Sequence, residues 1–101
     1  MMHRMLVLLV ALTLAGCGGG ASGPIGGACI RSDRAAANPA LCSCIQRVAG
    51  QSLSGADQRR AAEFFGNPDK AERVRRSDAD RDDAFWDRYR AFADRAAAVC
   101  G

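Results

Sequence analysis

Five cysteines are the side chains in this 101-residue chain best able to do chemistry: Cys17, Cys29, Cys42, Cys44 and Cys100. Cys42-Ser43-Cys44 is a C-x-C pair, a spacing that some thiol oxidoreductases use. A catalytic pair usually lies at an exposed helix start inside a thioredoxin-like βαβ frame. No segment after the first 27 residues alternates like a strand, and two further cysteines offer themselves as disulfide partners. The second candidate is acidic. Asp78-Ala79-Asp80-Arg81-Asp82 has oxygen ligands spaced like the start of an EF-hand loop, but that loop needs glycine at its sixth position and a bidentate glutamate at its twelfth. Asp83 and Tyr89 stand there instead. An acidic helix start that complements the backbone dipole accounts for the run.

Enzymatic groups are scarce. The single histidine is His3, inside the segment expected to be removed, so the mature chain would lack the commonest general base. The serines fall at cap and linker positions, and no G-x-S-x-G elbow occurs. Glu63 and Glu72 have no visible apolar pocket to tune an acid–base pair. A non-enzymatic protein without a cofactor is the expectation.

The amino-terminal residues carry an export pattern. Arg4 makes the first five residues basic, and Leu6 to Leu14 is an uninterrupted apolar run of nine, LVLLVALTL. Spanning about 30 Å of hydrocarbon takes about 20 helical residues, so this run fits a signal h-region and not a membrane span. Leu14-Ala15-Gly16-Cys17 follows and resembles the bacterial lipobox. The resemblance implies cleavage between Gly16 and Cys17, a thioether from Cys17 to diacylglycerol, and fatty acylation of the new amino terminus. Several acyl chains on one residue anchor stably where one binds marginally. Gly18 in place of aspartate after the cysteine favours the outer over the inner membrane under the sorting rule of enteric bacteria. The expected organisation is a signal peptide at 1–16, a lipidated cysteine and glycine-rich tether at 17–27, and a folded domain at 28–101.

With Cys17 taken by lipid, Cys29, Cys42, Cys44 and Cys100 remain, an even number in a small exported domain, which reads as two disulfides. A chain this short buries only about 60% of its unfolded surface and needs such staples. Cys42 and Cys44 lie in one helix, where residues two apart point to nearly opposite sides, so they should not pair with each other. Leu41, Cys44, Ile45 and Val48 form an i, i+3, i+4, i+7 stripe that places Cys44 on the core face. Cys100 ends the apolar seam of the last helix. This favours Cys44–Cys100 with Cys29–Cys42; Cys29–Cys44 with Cys42–Cys100 stays open. Metal binding by four thiolates is disfavoured by the spacing and by an oxidising compartment.

The elements that must position these cysteines read as helices. Asn38-Pro39 is an N-cap followed by proline at the first helical position, with Gly50 as the stop. Ser54 with Asp57 three residues on opens a second helix ending at Gly66. Asn67-Pro68 opens a third, over 68–76. Ser77 or Asp78 caps the longest, which reaches about Val99. In it Phe85, Tyr89, Phe92, Ala96 and Val99 recur at spacings of 4, 3, 4 and 3, a continuous packing seam. The fold class expected is all-α, a bundle of about four short helices closed by disulfides. Trp86 lies off the centre of the seam and, with Arg88 and Arg90 flanking it, is the candidate contact for an anionic partner.

Charge excludes one class. The formal net charge is +3, and 14 basic residues interleave with 11 acidic ones. Without a strong basic excess or aromatics ranked among the cations, no nucleic-acid partner is expected. Only Lys70 is lysine, an arginine preference that points to a GC-rich genome.

The residues Cys29-Ile30-Arg31, Asn38-Pro39-Ala40-Leu41-Cys42-Ser43-Cys44-Ile45-Gln46, Phe64-Phe65 before Pro68, Phe85-Trp86-Asp87-Arg88-Tyr89 and the final Cys100 are together similar to a set of small uncharacterised lipoproteins of alphaproteobacteria. Some of these carry the label arginine transporter. The resemblance covers nearly all of the mature chain. A domain this small with no spanning helix cannot form a permease alone, so a transport role implies an accessory. Three functions are expected in order. The first is a lipid-anchored periplasmic interaction or structural module that contacts an envelope protein or the cell wall. The second is a small-ligand binder or transport accessory, for an amino acid such as arginine. The third is a thiol redox protein using Cys42 and Cys44.

Overall fold

The computed structural model describes residues 22–32 and 37–101; the signal segment, Gly16 and Cys17 lie outside them. Five α-helices follow one another: α1 (Pro24–Arg31), α2 (Pro39–Ser52), α3 (Gly55–Gly66), α4 (Pro68–Arg76) and α5 (Asp80–Cys100). The described residues contain no strand. The all-α expectation holds, with one helix more than the pattern shows.

That extra helix corrects the tether. Residues 18–27 read as glycine-rich chain that buries nothing, yet Pro24 to Gly27 are the first turn of α1. Gly26 and Gly27 cost about 2 kcal/mol together relative to alanine in a helix. Ile25 offsets this, being fully buried, and one buried isoleucine is worth about 1.5–3 kcal/mol. Cys29 is 4% exposed and is bonded to Cys42, which fixes the helix covalently. Pro24 stands at the helix start with its φ already suited to it. All three prolines of the chain, Pro24, Pro39 and Pro68, open helices in this way.

The caps repeat the logic of short polar side chains that accept orphan N–H bonds. Asn38 Oδ1 accepts from the Leu41 amide at 2.8 Å, and Ser54 Oγ from the Asp57 amide at 3.1 Å. Replacing Ser54 by alanine is expected to lower the unfolding free energy by about 1 kcal/mol in urea titrations; no change would show that α3 is held by packing alone. Two boundaries differ from expectation. Gly50 does not stop α2, which runs on to Ser52; Leu53, 6% exposed, caps it and enters the core. Asp78 does not cap α5. Ala79 is its N-cap residue, and Ser77 Oγ accepts from the Ala79 amide just outside the helix.

α2 is the central element, packed against α1 on one side and α5 on another, while α1 also lies on α3. Ile25, Val48, Ala49, Leu53, Ala61, Phe64, Phe85, Phe92 and Ala96 form one buried cluster. Phe64 meets Phe85 and Tyr89 edge-on, with centroids at 6.0 and 5.2 Å, the arrangement aromatic quadrupoles favour. α4 has no buried residue and rests on α3 and α5.

Candidate functional site

The four cysteines of the domain are bonded as Cys29–Cys42 and Cys44–Cys100, with Cα separations of 5.6 and 5.8 Å. Cys42 and Cys44 do leave α2 in different directions, but the burial is the reverse of the stripe argument. Cys42 is fully buried, whereas Cys44 is half-buried. The physical reason is that α2 has packed neighbours on two faces. The Cys42 face is covered by α1, the helix hidden in the glycine-rich segment, and the Cys44 face meets the last turn of α5.

A polar contact that patterning does not disclose joins α1 to the core. Gln46 Oε1 accepts from the Gly26 amide at 2.8 Å, so a side chain of α2 does for α1 what an N-cap does, and α1 has no side-chain cap of its own. Gln46 Nε2 donates to Gln58 Oε1 at 2.8 Å, and Gln58 Nε2 donates to the Leu53 carbonyl at 3.1 Å. Gln58 is the one buried polar side chain among the described residues, and these bonds satisfy its amide. A Cβ on Gly23 would overlap the Gln46 amide, so a larger residue there would have to push that amide from its place against α1. Three signals were present in the sequence: Pro24 as a third proline start, Ile25 as an isolated apolar residue, and Gln46 off the α2 seam.

Two of the concavities among the described residues bear on function. The first lies between α3, α4 and the start of α5. It measures about 340 Å³ and is lined by Arg60, Glu63, Lys70, Arg73, Ser77 and Asp82 over Phe64 and Val74. Its charges are largely paired within it, Arg60 with Asp82 at 2.7 Å and Lys70 with Glu63 at 2.6 Å. The Arg60 guanidinium also lies 4.4 Å from the centroid of the Phe85 ring. Hydrogen bonds from Arg60 and from the Ser77 hydroxyl hold the Asp82 carboxyl below the usual carboxylate range. A depressed carboxylate contributes stability above its unfolded pKa, and loses it as pH falls through the folded one. On acidification below about pH 4, the native chain is therefore expected to lose stability more steeply than Asp82→Asn, as followed by urea midpoints. Parallel curves would remove the pair from the stability of the α3–α5 contact.

The second concavity is apolar, about 260 Å³, between α2 and α5. Leu41 and Ile45 of α2 form one wall, and Phe65 of α3 closes one end. Tyr89, Phe92, Ala93, Ala96 and Ala97 of α5 form the other wall, which ends at Cys100 and Gly101. No charged side chain lines it. The Cys44–Cys100 bridge fixes the two walls to each other near the end of α5.

The expected contact triad is not one patch. Trp86 is half-buried against the core, with its ring 5.1 Å from Tyr89. Arg88 leaves α5 elsewhere and grips Asp57 at the start of α3, Nε to Oδ2 at 2.6 Å and a second bond at 3.2 Å. That bond raises the Arg88 pKa. Arg90 is exposed and stays with Trp86, because residues four apart share a helix face and residues two apart do not. Ala93 and Ala97 continue the same stripe, so Trp86 and Arg90 flank the apolar groove.

Asp82 of the acidic run is bonded to Arg60, and among the described residues no three histidine, cysteine, aspartate or glutamate side chains converge on a point that can hold a metal ion. No described helix is long and apolar enough to cross a membrane. Comparison with protein-family models, curated proteins and solved structures gives no match for this chain.

Proposed function

We propose that this chain is a lipid-anchored lipoprotein of the cell envelope that acts as a non-enzymatic interaction module, held by acyl chains on Cys17 and facing the periplasm, with the outer membrane favoured. The observation that carries the reading is the uncovered apolar groove between α2 and α5 on a body stapled by two disulfides. Its walls carry no charged side chain, and a hydrophobic groove between helices is a recurrent docking surface for a partner. The lipobox supplies the anchor and the glycines after it supply the spacing.

The other expected functions have weaker support. A small polar ligand would enter the cleft beside Arg60 and Lys70, where it must displace Asp82 and Glu63 from their own cations. A C-x-C redox cycle needs Cys42 and Cys44 to pair with each other, and each is bonded to a different distant cysteine.

The deciding experiment is intact mass of the protein extracted from its native membrane, before and after reduction and alkylation. The expected result is lipid mass on a chain that begins at Cys17, with four cysteines that alkylate only after reduction. A chain that keeps its first 16 residues, or has an unmodified Cys17, would overturn the anchor.

A further inference from the structure

The groove between α2 and α5 also indicates its own occupant. We propose that it docks directly on the phospholipid surface, taking acyl chains of the bilayer between α2 and α5, with Trp86 and Arg90 at headgroup level. This rests on the anchored reading above.

Size argues against a second copy of the chain as the occupant. A stable protein interface takes about 800 Å² and 20–30 residues a side. The groove is lined by ten residues in about 260 Å³, too little to hold a second copy of the chain by itself. Composition agrees. Leu41, Ile45, Phe65 and Phe92 present only hydrocarbon, and no charged side chain lines the space, so entry of these walls into a bilayer interface desolvates no ionic side chain.

Chain geometry keeps the domain close to the membrane. The folded body begins at Gly23, which packs on Gln46, about a quarter turn around α2 from Ile45 of the groove wall. Five residues separate Gly23 from Cys17, a reach of about 20 Å when fully extended. The tether is therefore shorter than residues 18–27 suggest, by the whole first turn of α1. At that reach even weak docking is favoured by effective concentration. The flank of the groove completes the fit. Trp86, Arg90, Ala93 and Ala97 follow at i, i+4, i+7 and i+11 along one stripe of α5. An indole prefers the headgroup level, and an arginine can lay its stem on apolar surface while its charge stays wet.

Trp86 is the only tryptophan, so its emission reports the docking. The membrane-extracted full chain is reconstituted into phosphatidylcholine vesicles with brominated acyl chains, and compared with Ala97→Asp and Ala91→Asp. Ala97 lines the groove yet is exposed, and Ala91 is exposed on another face, so neither change disturbs the core. Trp86 is expected to be quenched in the native chain and in Ala91→Asp, and not in Ala97→Asp. The aspartate at 97 is also expected to lower the vesicle affinity of an unanchored Cys17→Ser chain about tenfold or more. Equal quenching in all three chains, or quenching in none, overturns the docking. So does a detergent-stable dimer that shields Trp86 from bromine. Intact mass of the same sample separates the two proposals. Lipid on Cys17 without quenching leaves the anchor and removes the docking, whereas quenching by an unlipidated chain does the reverse.

Discussion

Replacing Cys44 and Cys100 together by alanine is expected to lower the unfolding free energy by about 4 kcal/mol, the loop-closure entropy of a bridge spanning 56 residues. The Cys29–Cys42 bridge spans 13 and by the same reasoning contributes about 3 kcal/mol. A domain of this length has a total stability of about 4–12 kcal/mol, so the longer bridge is a third of it at the least. The effect reaches beyond entropy, because Cys100 ends α5 and Cys44 stands in the wall of α2 that faces it. Without the bridge the last turn of α5 is held only by Ala96 and its neighbours, and the apolar groove loses its fixed width. Urea unfolding followed by far-ultraviolet circular dichroism measures the loss. A change below about 1 kcal/mol would show that the end of α5 is docked by packing and that the bridge adds little.

The second large effect is expected at Phe85. Truncation to alanine should cost about 3–5 kcal/mol, the range for emptying a buried aromatic site. Phe85 is 1% exposed and is the largest of the fully buried side chains. Phe64 meets its edge, Tyr89 stacks at 6.1 Å, and the Arg60 guanidinium covers its face at 4.4 Å. Its removal therefore loosens α3 from α5 and also frees the arginine that holds Asp82. Val99, 55% exposed on the same helix, is the internal control. Alanine there should stay within about 0.5 kcal/mol, as surface changes do. Similar losses at the two positions would mean that the seam of α5 does not face the core as described.

The contrast between these two residues marks the limit of periodic reasoning. Phe85, Tyr89, Phe92, Ala96 and Val99 recur at one spacing, and the sequence alone treats them as one seam. Phe85, Phe92 and Ala96 are buried; Val99 is not, because at its end α5 turns its Cys100 side, and not its Val99 side, toward α2. The same limit explains the cysteines. That Cys42 and Cys44 take separate partners follows from helix geometry, and the favoured pairing is the one present. Which of the two is more deeply buried depends on α1, and α1 was hidden by its glycines.

What the sequence by itself determined is local. Proline and glycine positions, the Asn38 and Ser54 caps and a 3.6-residue period set four helices and the all-α class, since each signal acts within a few residues. The lipobox pattern is likewise local and carries the expected anchor. What only the tertiary structure decided depends on residues far apart in the chain. Pro24 to Gly27 become helix because Gln46 caps them and because Ile25 finds a closed core. Arg88 parts from Trp86 because Asp57 lies 31 residues away in sequence and beside it in space. The groove exists because α2 and α5, joined through Cys44 and Cys100, leave between them an apolar strip that no other described element covers. Periodicity measures the faces of one helix at a time; the space between two helices is set by how they pack.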